Sequence, residues 1–216
     1  MARLICLLIG YAFGLFQTSY FYGKLHGIDI RTKGSGNAGT TNTLRVLGPK
    51  AGMIVLIGDV LKTVLAAAVA RWLVVPQFPE LEQVLVLYAA AGAILGHNYP
   101  FYMQFKGGKG IAATVGLLLA FHPLFFLVAF VLFLFVFLTT HYVSLGSLLI
   151  YAAFMIQLVV MGQTGTLGVT SQPILNEMYL IAFFLLVLAY WKHRENIKRL
   201  LTHTERKTYL TKKNKQ

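Results

Sequence analysis

The sequence predicts an all-α, polytopic integral membrane helix bundle of about seven transmembrane helices, with the N-terminus outside and the C-terminus cytoplasmic. Three observations carry that expectation. Apolar residues make up 57% of the 216-residue chain and charged residues only 12%, where a soluble domain carries about 25% charged residues. Several uncharged apolar runs reach the ~20 residues that a bilayer-crossing helix needs. The basic residues behind a net charge of +12 fall mainly in Lys24–Lys50, Lys106–Lys109 and Lys192–Lys215, as expected when Lys and Arg collect on the cytoplasmic side of a membrane. Topology thus accounts for a basic pI that would otherwise suggest nucleic acid, and no nucleic-acid partner is expected. Cys6 is the single cysteine, so neither an internal disulfide nor a cysteine metal site is available. No metal and no cofactor are expected.

The elements follow in chain order. Ala2–Tyr22 is apolar and has no small-residue cleavage pattern before Lys24, so it reads as a retained helix rather than a removed signal. Lys24–Lys50 is a polar, glycine-rich loop. Gly52–Trp72 is the second helix, and the acidic loop after it, Val75–Glu82, lacks Lys and Arg. Gln83–Leu95 is the third helix, leading into Gly96-His97-Asn98-Tyr99-Pro100 and then Lys106-Gly107-Gly108-Lys109-Gly110. No Lys or Arg occurs between Ile111 and Tyr190. His122-Pro123, Thr139–Tyr142 and Gly162–Asn176 divide this stretch into helices near 111–121, 124–139, 143–161 and 177–191. If 111–138 were one kinked helix, six spans would put the basic Lys24–Lys50 loop and the basic tail on opposite sides. Seven spans put every basic cluster on one face and Glu80 and Glu82 on the other. The short 111–121 segment is then a thin crossing or a half-helix. The whole chain, 1–216, reads as one domain. Residues 193–216 form a basic cytoplasmic tail, its first half an interfacial helix and its last few residues without fixed structure.

Gly34, Gly36 and Gly39 formally spell G-x-G-x-x-G, with Asp59 twenty residues beyond. A dinucleotide site is excluded, because that fingerprint works inside a βαβ unit and here the flanks are membrane helices. The local physics survives. Closely spaced glycines let backbone N–H groups converge on an anion, Ser35, Asn37, Thr40 and Thr41 add side-chain donors, and Arg45 adds a bidentate phosphate partner. A plain polar linker is the alternative.

Gly107, Gly108, Lys109 and Gly110 do not complete a Walker A loop, since Met103 and Gly110 stand where Gly and Ser or Thr are needed. They still suit a phosphate at a helix start, or else a helix-end turn with an interfacial lysine. His97, at a helix end, is a candidate general base or a hydrogen-bonding anchor. Asp59 and Lys62 lie three apart near mid-membrane, which favours a buried pair that fixes helix packing. In the tail, Asn196 and Arg199 lie one turn apart and can face one site.

Gly34–Asn42, Gly96-His97 through Gly110, Tyr142-Val143-Ser144-Leu145 and His193-Arg194-Glu195-Asn196-Ile197-Lys198-Arg199-Leu200 together resemble, in family order, the bacterial acyl-phosphate:glycerol-3-phosphate acyltransferases. The resemblance covers nearly the whole chain. It departs at His203, where a glycine often precedes the final Thr-Glu, and at His141, where an arginine is usual.

The resemblance implies transfer of a fatty acyl group from acyl phosphate to the 1-hydroxyl of glycerol 3-phosphate. The products are lysophosphatidic acid and inorganic phosphate, in the first acylation of phospholipid synthesis. It places the protein in the bacterial cell membrane among membrane lipid, with the active site on the cytoplasmic face. Contact with the acyl-phosphate-forming enzyme is compatible with it but written in none of these residues. The substrate-binding residues expected are Ser35, Gly36, Asn37, Thr41, Arg45, Lys109, Ser144, His193, Asn196 and Arg199, with Gly34, Gly39, Gly107, Gly108 and Gly110 as phosphate-loop glycines. We expect Ser35, Asn37 and Arg45 on one phosphate and Lys109 with Arg199 on the other. No G-x-S-x-G elbow and no His with Asp five residues later occurs, so direct attack by the hydroxyl is expected, with His97 or a substrate phosphate oxygen taking the proton. A transporter for an anionic solute predicts inverted repeats, and none is visible. A membrane scaffold predicts that Ser35 and Lys109 are dispensable.

Overall fold

The computed structural model of the protein describes residues 1–209, and the end of the basic tail lies outside the described residues. The described residues form α1 Ala2–Gly14, α2 Thr18–Leu25, α3 Thr40–Leu47, α4 Pro49–Leu73, α5 Glu82–Asn98, α6 Ile111–Phe121, α7 Pro123–Thr140, α8 Val143–Gln163, α9 Gln172–Lys192 and α10 Arg194–Leu201. The architecture is all-helical. Six segments are long and apolar enough to cross a membrane: Ala2–Leu25, Pro49–Gln77, Pro79–Met103, Pro123–Thr140, Val143–Gln163 and Gln172–Lys192. α6 has eleven residues and rises only ~16 Å, about half of a ~30 Å hydrocarbon core. It is a helix of its own, not the first half of α7. His122 is extended, its ring accepts from the Leu124 N–H at 3.2 Å, and Pro123 opens α7, a position where the missing N–H costs no helical bond.

Two elements differ from the sequence expectation. The first apolar run is not one helix but two, broken at Leu15–Gln17. The break has a polar cause. The Phe16 carbonyl accepts from Lys62 Nζ at 2.9 Å, and buried Gln17 donates from Nε2 to the His97 carbonyl at 2.8 Å. Backbone groups released from the helix are thus paired inside the bundle, as they must be in hydrocarbon. The Lys24–Lys50 loop also contains a helix, α3. Its Thr-Thr-Asn-Thr start is poor in helix formers, and its stability comes from packing on α4, where Gly52 leaves room for the Leu44 side chain.

α5 is the central strut, buried along nearly its whole length. It meets α1 through small residues on both sides. A Cβ at Gly10 or Gly14 would overlap the backbone at Ala89 or Ala93, and one at Gly92 or Gly96 would overlap the backbone of α1. Such small-residue faces let helices pack at backbone distance where lipid gives no hydrophobic drive. At the far end from the basic loops, Arg3 is bidentate to Glu177 at 2.5 and 2.8 Å, and Tyr88 donates to the same carboxylate at 2.8 Å. That pairing ties α1, α5 and α9. Arg71 joins Glu82 at 3.0 Å and the Ala120 carbonyl at 2.7 Å, so α6 ends level with the start of α5.

Candidate functional site

The C-terminal end of α5 carries a buried polar cluster. Lys62 Nζ donates to Asp59 Oδ1 at 2.9 Å, to the Phe16 carbonyl at 2.9 Å and to His97 Nδ1 at 2.8 Å. Thr18 donates to the same Asp59 oxygen at 3.0 Å. The pair expected from sequence is present, and it is also joined to His97. Neither His97 nor Lys62 side chain is more than 4% exposed. α4 places Asp59 ten residues from Pro49, roughly 15 Å along the helix, so the cluster is recessed from the end of the bundle that carries the glycine loops. An apolar groove of 460 Å³ between α1 and α4, with Phe13, Phe16, Leu61 and Leu65 on its walls, reaches Lys62.

The second glycine loop folds back on this cluster. Gly107 and Gly108 donate their amides to the Asn98 and His97 carbonyls at 3.2 and 3.1 Å. A Cβ at Gly108 would overlap His97 Nε2 and lie 2.6 Å from the Ala38 carbonyl oxygen. The two glycine loops, far apart in sequence, therefore cross at His97. Gly110, at φ 83°, caps α6. Beside it Asn98 is 1% exposed, and its side-chain amide has no hydrogen-bond partner among the described residues.

The first glycine loop is a tight turn whose amides are partly paired within it. Gly34 and Gly36 adopt φ of 60° and 71°, as only glycine does cheaply. The turn they make closes on Asn42. Its Oδ1 accepts the Ser35 N–H at 2.7 Å, and its Nδ2 donates to the Ile30 and Lys33 carbonyls at 3.0 Å each. The Gly36 and Gly39 amides bond to Lys33 and Asn37 carbonyls inside the loop. The Ser35, Gly36 and Gly39 amides are thus occupied within the loop. Ser35 is exposed, Asn37 half-buried, and Thr41 half-buried in the first turn of α3.

A third cluster gathers the remaining candidates, and its centre is Glu205. One oxygen of Glu205 accepts from Ser144 at 2.9 Å and from Asn196 Nδ2 at 2.6 Å, and the other accepts from Arg199 at 2.7 Å. Lys109 donates to the side-chain Oδ1 of Asn196. Arg45 donates to Thr208 Oγ1 at 2.6 Å and to the Arg206 carbonyl at 3.3 Å. The sequence expectation puts Arg45 on one phosphate and Lys109 with Arg199 on the other; in the fold Arg199 and, through Asn196, Lys109 reach Glu205, while Arg45 bonds the Arg206 carbonyl and Thr208 of the same tail. Burial pushes Glu205 up, but the bonds from Asn196, Arg199 and Ser144 outweigh it and hold the carboxyl below its ordinary range. Burial brings the Lys109 ammonium down to about 8, with Glu205 acting the other way. His193 is buried, its Nδ1 donating to the Ala189 carbonyl at 2.8 Å. Burial and then the neighbouring Lys109 charge lower it to about 4.

Glu205 and Asn98 were missing from the candidates. Glu205 had a signal, the Thr204-Glu205 pair of the resemblance. Asn98 had none beyond its place after His97. The two departures are also placed: His203 and His141 both adopt positive φ, 55° and 60°, so at 203 a histidine holds the turn that a glycine would make at less cost.

The family model of glycerol-3-phosphate acyltransferases matches residues 4–203. The chain is 38% identical over 212 residues to the glycerol-3-phosphate acyltransferase of Clostridioides difficile, covering 94% of each chain. It is 41% identical over 205 residues to that of Geobacillus kaustophilus, again covering 94% of each. Among solved structures it is similar to PlsY (YgiH), described as an integral membrane glycerol 3-phosphate acyltransferase, in its glycerol 3-phosphate form. That likeness has a TM-score of 0.82 and 32% identity, covering 97% of this chain and 96% of the other. The lysophosphatidic acid form of the same enzyme gives a TM-score of 0.80.

Proposed function

The chain belongs to the glycerol-3-phosphate acyltransferase family, and from that premise we propose that it transfers a fatty acyl group from acyl phosphate to the 1-hydroxyl of glycerol 3-phosphate. The products are lysophosphatidic acid and inorganic phosphate, and the reaction is the first acylation of phospholipid synthesis. The observation that carries this reading is a juxtaposition. Arg45, Lys109 and Arg199 gather within one cluster, Lys109 belongs to the loop that folds onto His97, and His97 adjoins a groove that opens to lipid through Lys62. Two phosphates and a fatty chain need those surroundings. Relatives named for glycerol 3-phosphate and a solved form named for lysophosphatidic acid support the acceptor and the product.

The acyl chain lies in the α1–α4 groove. Ser35, Asn37, Thr41 and Arg45 serve one phosphate, and Lys109, Ser144, His193, Asn196 and Arg199 the other, with Glu205 fixing the geometry of the second set. The acceptor hydroxyl attacks the carbonyl carbon. A new ester C–O bond forms, the carbonyl–phosphate C–O bond breaks, and phosphate leaves with the electron pair. The hydroxyl proton passes to a phosphate oxygen. Positioning and charge neutralisation supply the acceleration.

The N-terminus lies outside, the C-terminus and the glycine loops face the cytoplasm, and α6 is a thin seventh crossing. Its course favours this, from Gly110 against Asn98 to Ala120 against Arg71. The transporter and scaffold alternatives have no observation in their favour.

Donor choice tests the proposal. Purified protein in lipid receives labelled glycerol 3-phosphate with acyl phosphate, acyl-CoA or acyl carrier protein in turn. Lysophosphatidic acid from acyl phosphate alone is expected. Product from acyl-CoA or acyl carrier protein but not acyl phosphate would overturn the donor assignment.

A further inference from the structure

His97 makes one hydrogen bond through its ring, and the partner determines what the ring can do. Lys62 carries three N–H donors as an ammonium and no acceptor. Its three partners are the Phe16 carbonyl, Asp59 Oδ1 and His97 Nδ1, at 2.9, 2.9 and 2.8 Å. The first two only accept. The adjacent Asp59 carboxylate, itself steadied by Thr18 at 3.0 Å, forms an ion pair with the amine at 2.9 Å and so favours its charged form. Nδ1 of His97 must then accept, so the ring proton sits on Nε2. No hydrogen bond among the described residues occupies Nε2, which points to the crossing of the two glycine loops beside Gly108 and Ala38.

His193 provides the contrast within the same site. Its Nδ1 faces a carbonyl, Ala189, at 2.8 Å, so there the proton sits on Nδ1. Two buried histidines are thus set as opposite tautomers by fixed neighbours, the general way in which a ring's second nitrogen is assigned its role.

We propose that Asp59, Lys62 and Thr18 are positioning residues that lock His97 as the Nε2–H tautomer, so that His97 donates a hydrogen bond to a negatively charged substrate oxygen and does not take the hydroxyl proton. A ring whose one free nitrogen already bears hydrogen is no base until it gives that hydrogen up. It suits an oxygen that carries charge, whether on a phosphate in the bound substrate or on the carbonyl as attack develops. This proposal rests on the acyltransferase reading for the identity of that oxygen, but the tautomer does not depend on it.

Two measurements decide it. Nitrogen-15 spectra of histidine-labelled protein in lipid, with His97 assigned by its loss in His97→Ala, report which ring nitrogen carries the proton. Protonated Nε2 with bare Nδ1 is expected, and Lys62→Met should mix the two tautomers. A protonated Nδ1 in the wild-type protein would overturn the proposal whatever the activity. The second measurement compares His97→Gln with His97→Ala. The glutamine amide reaches about as far as Nε2 and can donate, but cannot act as a base. Gln is expected to stay within about tenfold of wild type, while Ala loses about 100-fold, the usual scale for one such donor. A loss in kcat places the oxygen on the developing carbonyl, and a rise in KM for either substrate places it on a phosphate. Equal loss in Gln and Ala would overturn the donor role. No turnover by the wild-type protein with acyl phosphate would count against the donor substrate of the preceding section, and the spectrum would still decide the tautomer.

Discussion

The cluster around His97 and the cluster around Glu205 lie close together and are held in different ways. His97, Lys62, Asp59, Thr18 and Gln17 come from α5, α4 and the α1–α2 junction, all buried, and each is fixed by a helix packed along its length. Glu205 draws Ser144 from α8, Asn196 and Arg199 from α10 and, through Asn196, Lys109 from a loop. Its own backbone belongs to the tail after α10, and the Arg199 side chain is 40% exposed. The deep cluster resembles a fixed instrument, because buried ionic networks in hydrocarbon have no solvent to fall back on. The Glu205 cluster is a clasp that joins α8, α10, the tail and the Lys109 loop. For the proposed reaction, the first kind suits the reacting bond and the second suits phosphates arriving from water.

The comparison breaks first at Gly108, where the two regions touch. Gly108→Ala puts a methyl group against His97 Nε2 and the Ala38 carbonyl, backbone on one side and a locked ring on the other. Neither can swing away. Displacement of the loop by about 1 Å should cost 100-fold or more in kcat/KM, measured as lysophosphatidic acid formation, with the helical fold retained by circular dichroism. Near-normal activity would mean that the crossing is slack and the deep cluster less rigid than its packing implies.

Glu205→Gln comes next and tests the clasp alone. The amide loses the charge that Ser144, Asn196 and Arg199 all address. With hydrogen bonds to charged groups contributing ~1.5–3 kcal/mol, activity should fall about 10- to 100-fold, while the His97 nitrogen spectrum stays unchanged. The folded carboxyl is held below its ordinary range, so its contribution is present above that range and is lost as pH falls through the depressed value. Acidification below pH ~4 should therefore loosen the tail of the wild-type protein, and the Gln variant should not respond. A changed His97 spectrum in Glu205→Gln would show that the two regions are one unit.

The same contrast explains what the sequence disclosed. The apolar runs, the break at His122-Pro123 and the glycine loops were visible because hydropathy and backbone chemistry are written locally. The pairing of Lys62 with His97 was not, since nothing local in the sequence joins a residue of α4 to one of α5. The break at Phe16 was hidden for the same reason: its cause is a lysine on another helix. The first glycine loop was legible in part. Its spacing marked the glycine turns but not the part of Asn42, a residue of α3 that closes the turn from behind.

A smaller effect is expected from pH alone. Burial brings Lys109 to about 8, so its positive charge is nearly complete at pH 7 and is lost as pH rises through that value. Since kcat/KM reports the free enzyme, it should fall roughly eightfold between pH 7.5 and pH 9. A Lys109→Arg variant stays charged across that range, and its residual activity, at whatever level, should be flat there. A wild-type profile flat to pH 9 would mean that Lys109 remains ionised or that its charge is unused.

The smallest effect belongs at the opposite end of the bundle, where a third ionic group provides the control for the other two. Arg3 meets Glu177 in a bidentate pair, with Tyr88 on the same carboxylate, a geometry as good as any in the site. Yet the side chains of Arg3 and Glu177 are 40% and 25% exposed, and none of the site residues touches them. If good ionic geometry alone made a group functional, Arg3→Met would harm catalysis. If depth and connection to the glycine loops matter, it should lower thermal stability by about 1 kcal/mol or less, as partly exposed pairs do, and leave kcat and KM for glycerol 3-phosphate unchanged. A loss of turnover in Arg3→Met would mean that α1 transmits strain from its outer end through the Gly10–Gly14 contact to Gln17 and the His97 carbonyl, and that the rigid region extends along the whole of α1 and α5.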